Sequence, residues 1–127
     1  MANDLQKSIP LPKDAILLTT AQEWAANWNK HGASYLSENA LKAFLIPQED
    51  IKGIIDNDKT FHIRGYLGLE KLENGTFEPH MMVVGVDKDK VNDIIDYNPT
   101  AKKNYFIYDF SEPCPNTCNK IEPFINK

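Results

Sequence analysis

Hydrophobic and polar positions alternate most cleanly between Thr60 and Glu70, where Phe61, Ile63, Gly65, Leu67 and Leu69 interleave with His62, Arg64, Tyr66 and Gly68. A period of two sends successive side chains to opposite faces of a strand. Asn74-Gly75 follows, the dipeptide best suited to a two-residue turn with positive φ at both positions, and His80 to Val86 predicts the returning strand. With Asn74 and Gly75 central to the turn, Glu73 pairs with Thr76. That register sets Leu69 opposite His80, Leu67 opposite Met82, Gly65 opposite Val84 and Ile63 opposite Val86, which makes the apolar core face. The other face sets His62 opposite Asp87, Arg64 opposite Gly85 and Tyr66 opposite Val83. A slip of one residue exchanges the faces of one strand relative to the other.

A helical period precedes the hairpin. Ala21, Trp24, Ala25 and Trp28 share one face, Thr20-Ala21-Gln22-Glu23 has the form of a capping box, and Gly32 supplies a C-terminal stop. The prediction is a helix from about Ala21 to His31 that packs both tryptophans on the apolar hairpin face. Ala15 to Leu18 reads as a short strand or a lead into this helix, and Ala33 to Asn39 as a connector. Leu41 to Ile46 predicts a buried strand stopped by Pro47, and Pro47-Gln48-Glu49-Asp50 opens a second helix with Ile51, Ile54 and Ile55 inward. Asp87 to Tyr97 predicts a third short helix with Val91, Ile94 and Ile95 inward, and the aromatic run Asn104 to Phe110 a last strand. The fold class is α+β: one domain over residues 1–127, mainly antiparallel sheet with a tight hairpin and two or three short helices. Residues 1–12 form an extended N-terminal arm, and residues 111–127 an ordered C-terminal tail.

Composition narrows the function classes. A chain of 127 residues that is 42% hydrophobic and 25% charged supports one real core and is neither disordered nor fibrous. A net charge of −4 lacks the basic footprint of a nucleic-acid binder. No stretch approaches the roughly 20 apolar residues of a membrane span. The first residues carry no apolar export segment, so a cytoplasmic location with reduced thiols is expected.

Candidate chemistry is sparse. No nucleophile elbow, phosphate-binding loop or H-E-x-x-H helix occurs. Gly65-Tyr66-Leu67-Gly68 has the G-x-x-G form, but lies inside a strand without basic company. Arg64 is the single arginine among thirteen lysines, flanked on its strand face by His62 and Tyr66. A guanidinium offers a planar fork for carboxylate or phosphate that an ammonium lacks. The rival role is structural, with Arg64 pinning Asp87 or Asp109. Cys114 and Cys118 lie close together in the tail, but structural zinc takes four ligands and no second cysteine pair exists. His80, His62, His31 or Asp109 would have to complete such a site, so the cysteines are expected to be metal-free. No cofactor is expected.

At Lys42-Ala43-Phe44-Leu45-Ile46-Pro47, Ile63-Arg64-Gly65-Tyr66-Leu67-Gly68-Leu69 and Tyr108-Asp109-Phe110-Ser111-Glu112-Pro113-Cys114-Pro115 the chain resembles a family of small uncharacterised Bacteroidota-type bacterial proteins of unknown function. The resemblance covers most of the chain from Thr20 onward. It implies a bacterial, intracellular, single-domain protein and carries no catalytic residue with it.

These readings converge on a non-catalytic binding module for a small anionic ligand or a protein partner, a second copy of the chain included. Arg64, Tyr66, His62 and Asp109 are its candidate contacts, and toxin-neutralising immunity proteins fit the same description. The alternative is a small enzyme or metal-binding protein with its site around His62, Arg64, Asp109, Cys114 and Cys118.

Overall fold

The computed structural model describes residues 11–56, 58–96, 105–109 and 112–114. The first strand, β1 (Ala15–Ile16), leads through Leu17 into helix α1 (Leu18–Glu38). Strand β2 (Ala43–Leu45) and helix α2 (Gln48–Ile55) follow, then the long hairpin strands β3 (His62–Lys71) and β4 (Phe77–Val86). Three short strands complete the set: β5 (Asp93–Ile94), β6 (Ile107–Tyr108) and β7 (Glu112–Cys114). The main sheet runs β1-β6-β4-β3, with β5 also on β4, and every pairing is antiparallel. A separate two-stranded ribbon joins β2 to β7. The architecture is α+β, as the interleaved pattern predicts. Among the described residues no helix is long and apolar enough to cross a membrane.

Helix α1 is longer than its predicted bounds at both ends. Thr20 and Glu23 lie inside it, its N-cap is the extended Leu17, and no side chain caps it, so the capping-box reading fails. Gly32 does not stop the helix. It is buried under the Trp28 ring, where a Cβ would come within 3.0 Å of Trp28 Cε2, so its missing side chain serves close packing. The expected connector Ala33 to Asn39 is therefore helical up to Glu38. Asn39 ends the run, with its backbone amide on the Tyr35 carbonyl at 2.9 Å and its side-chain amide on the same oxygen at 3.0 Å. At about 1.5 Å per residue the helix is some 31 Å long, close to the roughly 33 Å of a ten-residue strand. Its buried face, with Ala21 and Trp24, packs along the hairpin over Gly68, Met82 and Val84.

The hairpin register is shifted by one residue from expectation. The connection runs over Leu72–Thr76, closed by Leu72 N–H to the Thr76 carbonyl at 2.8 Å and Gly75 N–H to the Leu72 carbonyl at 2.9 Å. Lys71 pairs with Phe77, Leu67 with Met81, Ile63 with Gly85 and His62 with Val86. Asn74 acts through its side chain, which accepts from the Thr76 amide at 3.0 Å and widens the turn. Arg64 thus faces Val84, Tyr66 faces Met82 and Gly68 faces His80, on the side covered by α1.

That shift reassigns the core. Trp24 and Ala21 pack on Met82, Val84 and Ile107, with Trp24 only 8% exposed, while Trp28 is half-buried. Leu69 alone of the predicted core residues of β3 is buried. Phe61, Ile63 and Leu67 stay 61%, 42% and 39% exposed, on the face away from α1. On that face Val83 packs against Ile54 of α2, with Ile46, Met81 and Tyr108 around them. Strand β4 is therefore covered on both faces, which explains its unbroken apolar run from Met81 to Val84.

The remaining differences are local. The predicted buried strand near Leu41–Ile46 is the exposed ribbon strand β2. Ile54 points inward from α2, whereas Ile55 is exposed. The predicted third helix is a turn leading into β5. Asp87 follows β4 and its carboxylate accepts from the Val91 and Asn92 amides, which holds the turn open against helix formation. The predicted last strand is shorter, with β6 at its centre. The N-terminal arm falls outside the described residues up to Pro10, as do Cys118 and most of the tail. Of Cys114 only the backbone is described, pairing with Ala43.

Candidate functional site

The register places the polar candidates of β3 on the α1 side of the sheet, and all but His62 fall in two clusters separated by Gly68. Arg64 and Tyr66 form the first, and neither Asp87 nor Asp109 is their partner. Arg64 Nη1 and Tyr66 Oη both donate to the carboxylate of Asp93 on β5, one to each oxygen. Arg64 Nη2 also donates to the Lys90 carbonyl at 3.1 Å, in a turn where Lys90 adopts a positive φ of 65°. The guanidinium fork is spent on holding the turn after β4, the structural role set out as the rival. Hydrogen bonding to Asp93 raises the Tyr66 hydroxyl above its ordinary range. Tyr66 and Asp93 also border an apolar cleft of about 150 Å³ under the first turns of α1.

Asp87 is held below the ordinary carboxylate range, first by the Asn92 side-chain amide and then by the Val91 backbone amide. It does not meet His62, which stands exposed on the rung opposite Val86.

The second cluster centres on His80. Its imidazole stacks on the Trp24 ring, with centroids 4.3 Å apart and planes 17° apart. Both carboxylate oxygens of Asp109, just beyond β6, lie 2.9 Å from Nδ1. Nε2 faces the other way, 2.9 Å from Glu70 Oε1 and 3.9 Å from Glu78 Oε1. The side chain is only 11% exposed, and that burial pulls its pKa down. The hydrogen bond and charge of Asp109, with Glu70 and Glu78 behind them, outweigh the burial and leave it raised above 6.5.

Sequence reasoning thus paired the right residue types with the wrong neighbours. Arg64 and Tyr66 do come together, Asp109 joins His80 instead, and His62 joins neither. His80 was weighed as a metal ligand beside Cys114 and Cys118, but its described neighbours are carboxylates. Glu70, Glu78 and Asp93 were missed. Glu70 had a signal in the polar residue at every second position of β3, and Glu78 in its place opposite Glu70, legible only in the correct register, whereas Asp93 had none. No family model, no curated protein and no solved structure matches the chain.

Proposed function

We propose that the protein is a non-catalytic binding module whose partner is a protein that adds a strand along β3. The observation that carries this is the exposure of Ile63 and Leu67, with Phe61 just before them, along a ten-residue strand that ends the main sheet among the described residues. Long edge strands with exposed apolar side chains are templates for pairing with another chain. Natural edges are usually blunted by lysine or proline, and β3 carries no proline and one lysine, Lys71, at its end.

Charge specifies the partner further. The hollow beside Phe61 is lined by Asp58, Asp87, Asp89, Asp93 and Asp96 against Lys59 and Lys88. With Asp93 paired to Arg64, four aspartates still face two lysines. Antiparallel pairing with a second copy would bring this acidic rim toward the other copy's Glu70 and Glu78, which disfavours self-association. A strand with apolar residues at alternate positions and lysine or arginine between them fits. Arg64 already serves Asp93, so a small anion has less to bind there.

A fluorescent ten-residue peptide alternating valine and lysine tests the reading. Saturable, salt-sensitive binding is expected, weakened at least tenfold by Ile63→Ser and by N-methylation of alternate peptide amides. Equal binding of the N-methylated peptide, or no binding at all, would overturn strand addition. A dimer in sedimentation that Ile63→Ser dissociates would replace the basic partner with a second copy.

A further inference from the structure

We propose that Glu70, Glu78 and His80 form a binding site for a divalent transition-metal ion of zinc type, with Asp109 as the residue that orients His80. The site does not rest on the strand-addition reading. Glu70 and Glu78 are directly opposite each other in the β3–β4 ladder, and His80 stands one same-face position further along β4. Like charges set directly across a ladder repel, and a cation bound between them relieves that repulsion. One oxygen from each glutamate and His80 Nε2 all lie within 4.8 Å of one another. Zinc bonds of about 2.0–2.2 Å in tetrahedral geometry require ligand atoms roughly 3.3–3.6 Å apart. The distances of 2.9 Å and 3.9 Å from Nε2 bracket that range, and the half-exposed Glu78 has the freedom to close the difference.

The imidazole is prepared for such a role. Asp109 accepts a hydrogen bond at Nδ1, so Nε2 is the nitrogen that faces the glutamates and becomes a metal ligand once it gives up its proton, and Trp24 fixes the ring plane. A carboxylate behind a metal-binding histidine is the usual supporting arrangement. One imidazole nitrogen with two carboxylate oxygens suits zinc, manganese or ferrous ions and excludes copper(I), which takes sulfur ligands. Glu70 and Glu78 are 38% and 49% exposed in their side chains, so an ion has a path from solvent and a fourth position stays open to water. A metal ion takes only the unprotonated imidazole nitrogen, so binding strengthens as pH rises and releases whatever proton Nε2 carries.

Calorimetric titration of the chelator-treated full chain with zinc chloride, and separately with manganese chloride, tests the site. One equivalent of zinc should bind at micromolar concentration near pH 8, with a change in tryptophan emission and a heat that varies with the ionisation enthalpy of the buffer. Glu78→Gln, an exposed position that leaves the core untouched, should weaken binding at least tenfold. His80→Gln should abolish it, and Asp109→Asn should weaken it about 10- to 100-fold. A Cys114→Ser, Cys118→Ser double variant should bind as the parent does. Absence of zinc binding, binding unchanged in Glu78→Gln, or binding lost only in the cysteine variant would overturn the proposal.

Discussion

Replacing Gly68 by alanine tests how closely α1 approaches the hairpin. A Cβ at this position falls 2.9 Å from Met82 Cε and 2.9 Å from Trp24 Cβ, with the Trp24 carbonyl carbon at 3.4 Å. The methionine methyl swings aside easily, but Trp24 Cβ is fixed to the helix backbone. Relief therefore requires α1 to lift from β3 along its middle, which loosens Trp24 and Ala21 from Met82 and Val84. Overpacking of this kind costs about 1–3 kcal/mol. The reduced freedom of alanine in the unfolded chain offsets about 0.4–1 kcal/mol of it. A net loss of about 1–2 kcal/mol lowers Tm by roughly 3–10 °C in a chain of this length. Gly53→Ala is the matched control. Nothing lies within 4 Å of a Cβ there, inside the short helix α2, so alanine should stabilise by up to about 1 kcal/mol and raise Tm. Calorimetric melting of both variants beside the parent reads the two signs. A Gly68→Ala protein that melts at or above the parent would refute the reasoning. In the alternative register Gly68 lies on the face away from the helix, where a methyl group is harmless.

Trp24→Ala should cost about 3–5 kcal/mol in urea unfolding, and Trp28→Ala distinctly less, because only Trp24 is fully enclosed. Equal losses would mean that both rings are packed alike. Arg64→Lys keeps the charge and loses the fork, so amides of residues 88–92 should exchange hydrogen faster while β3 and β4 stay protected. Uniform exchange across the chain would count against a local clamp. His80 has a folded pKa above its unfolded value of 6.5, so its contribution to stability is complete below that pH and fades as pH rises through the folded pKa. The stability gap between parent and His80→Gln should therefore shrink as pH rises above 6.5. A gap that is flat with pH would remove the charged imidazole from the account.

The elements of this fold were legible where one physical rule acted alone. Alternation located β3 and β4, and the 3.6-residue period located the middle of α1. Errors arose where a local signal met a competing tertiary demand. Gly32 looks like a helix stop from its conformational freedom, yet its use is to admit the Trp28 ring. Asn74-Gly75 indicates a two-residue turn, yet Asn74 spends its side chain on Thr76 and the loop widens. That single-residue difference moved Phe61, Ile63 and Leu67 from the expected core to the surface and brought Arg64, Tyr66 and Glu70 under the helix, on the face where His80 was already expected. The His80 cluster was not legible because Asp109 comes from a distant segment, and no periodicity announces such a meeting.

The place of β6 in the sheet has a kinetic consequence. β6 is wedged between β4 and β1, and β1 has no other strand partner among the described residues. Helix α1 and the β3–β4 hairpin join segments close in sequence, whereas β1 and β6 tie together distant parts of the chain. Local contacts form before long loops close, so the expected order is α1 and the hairpin first, and the pairing of β6 with β4 and β1 afterwards. Asp109 hydrogen-bonds through its backbone to Asp14 and through its carboxylate to His80, so it arrives with that final step. An early intermediate would hold an imidazole stacked on Trp24 without the carboxylate that raises its proton affinity. Proton uptake during refolding near neutral pH would then lag behind the burial of tryptophan and mark the moment the chain closes.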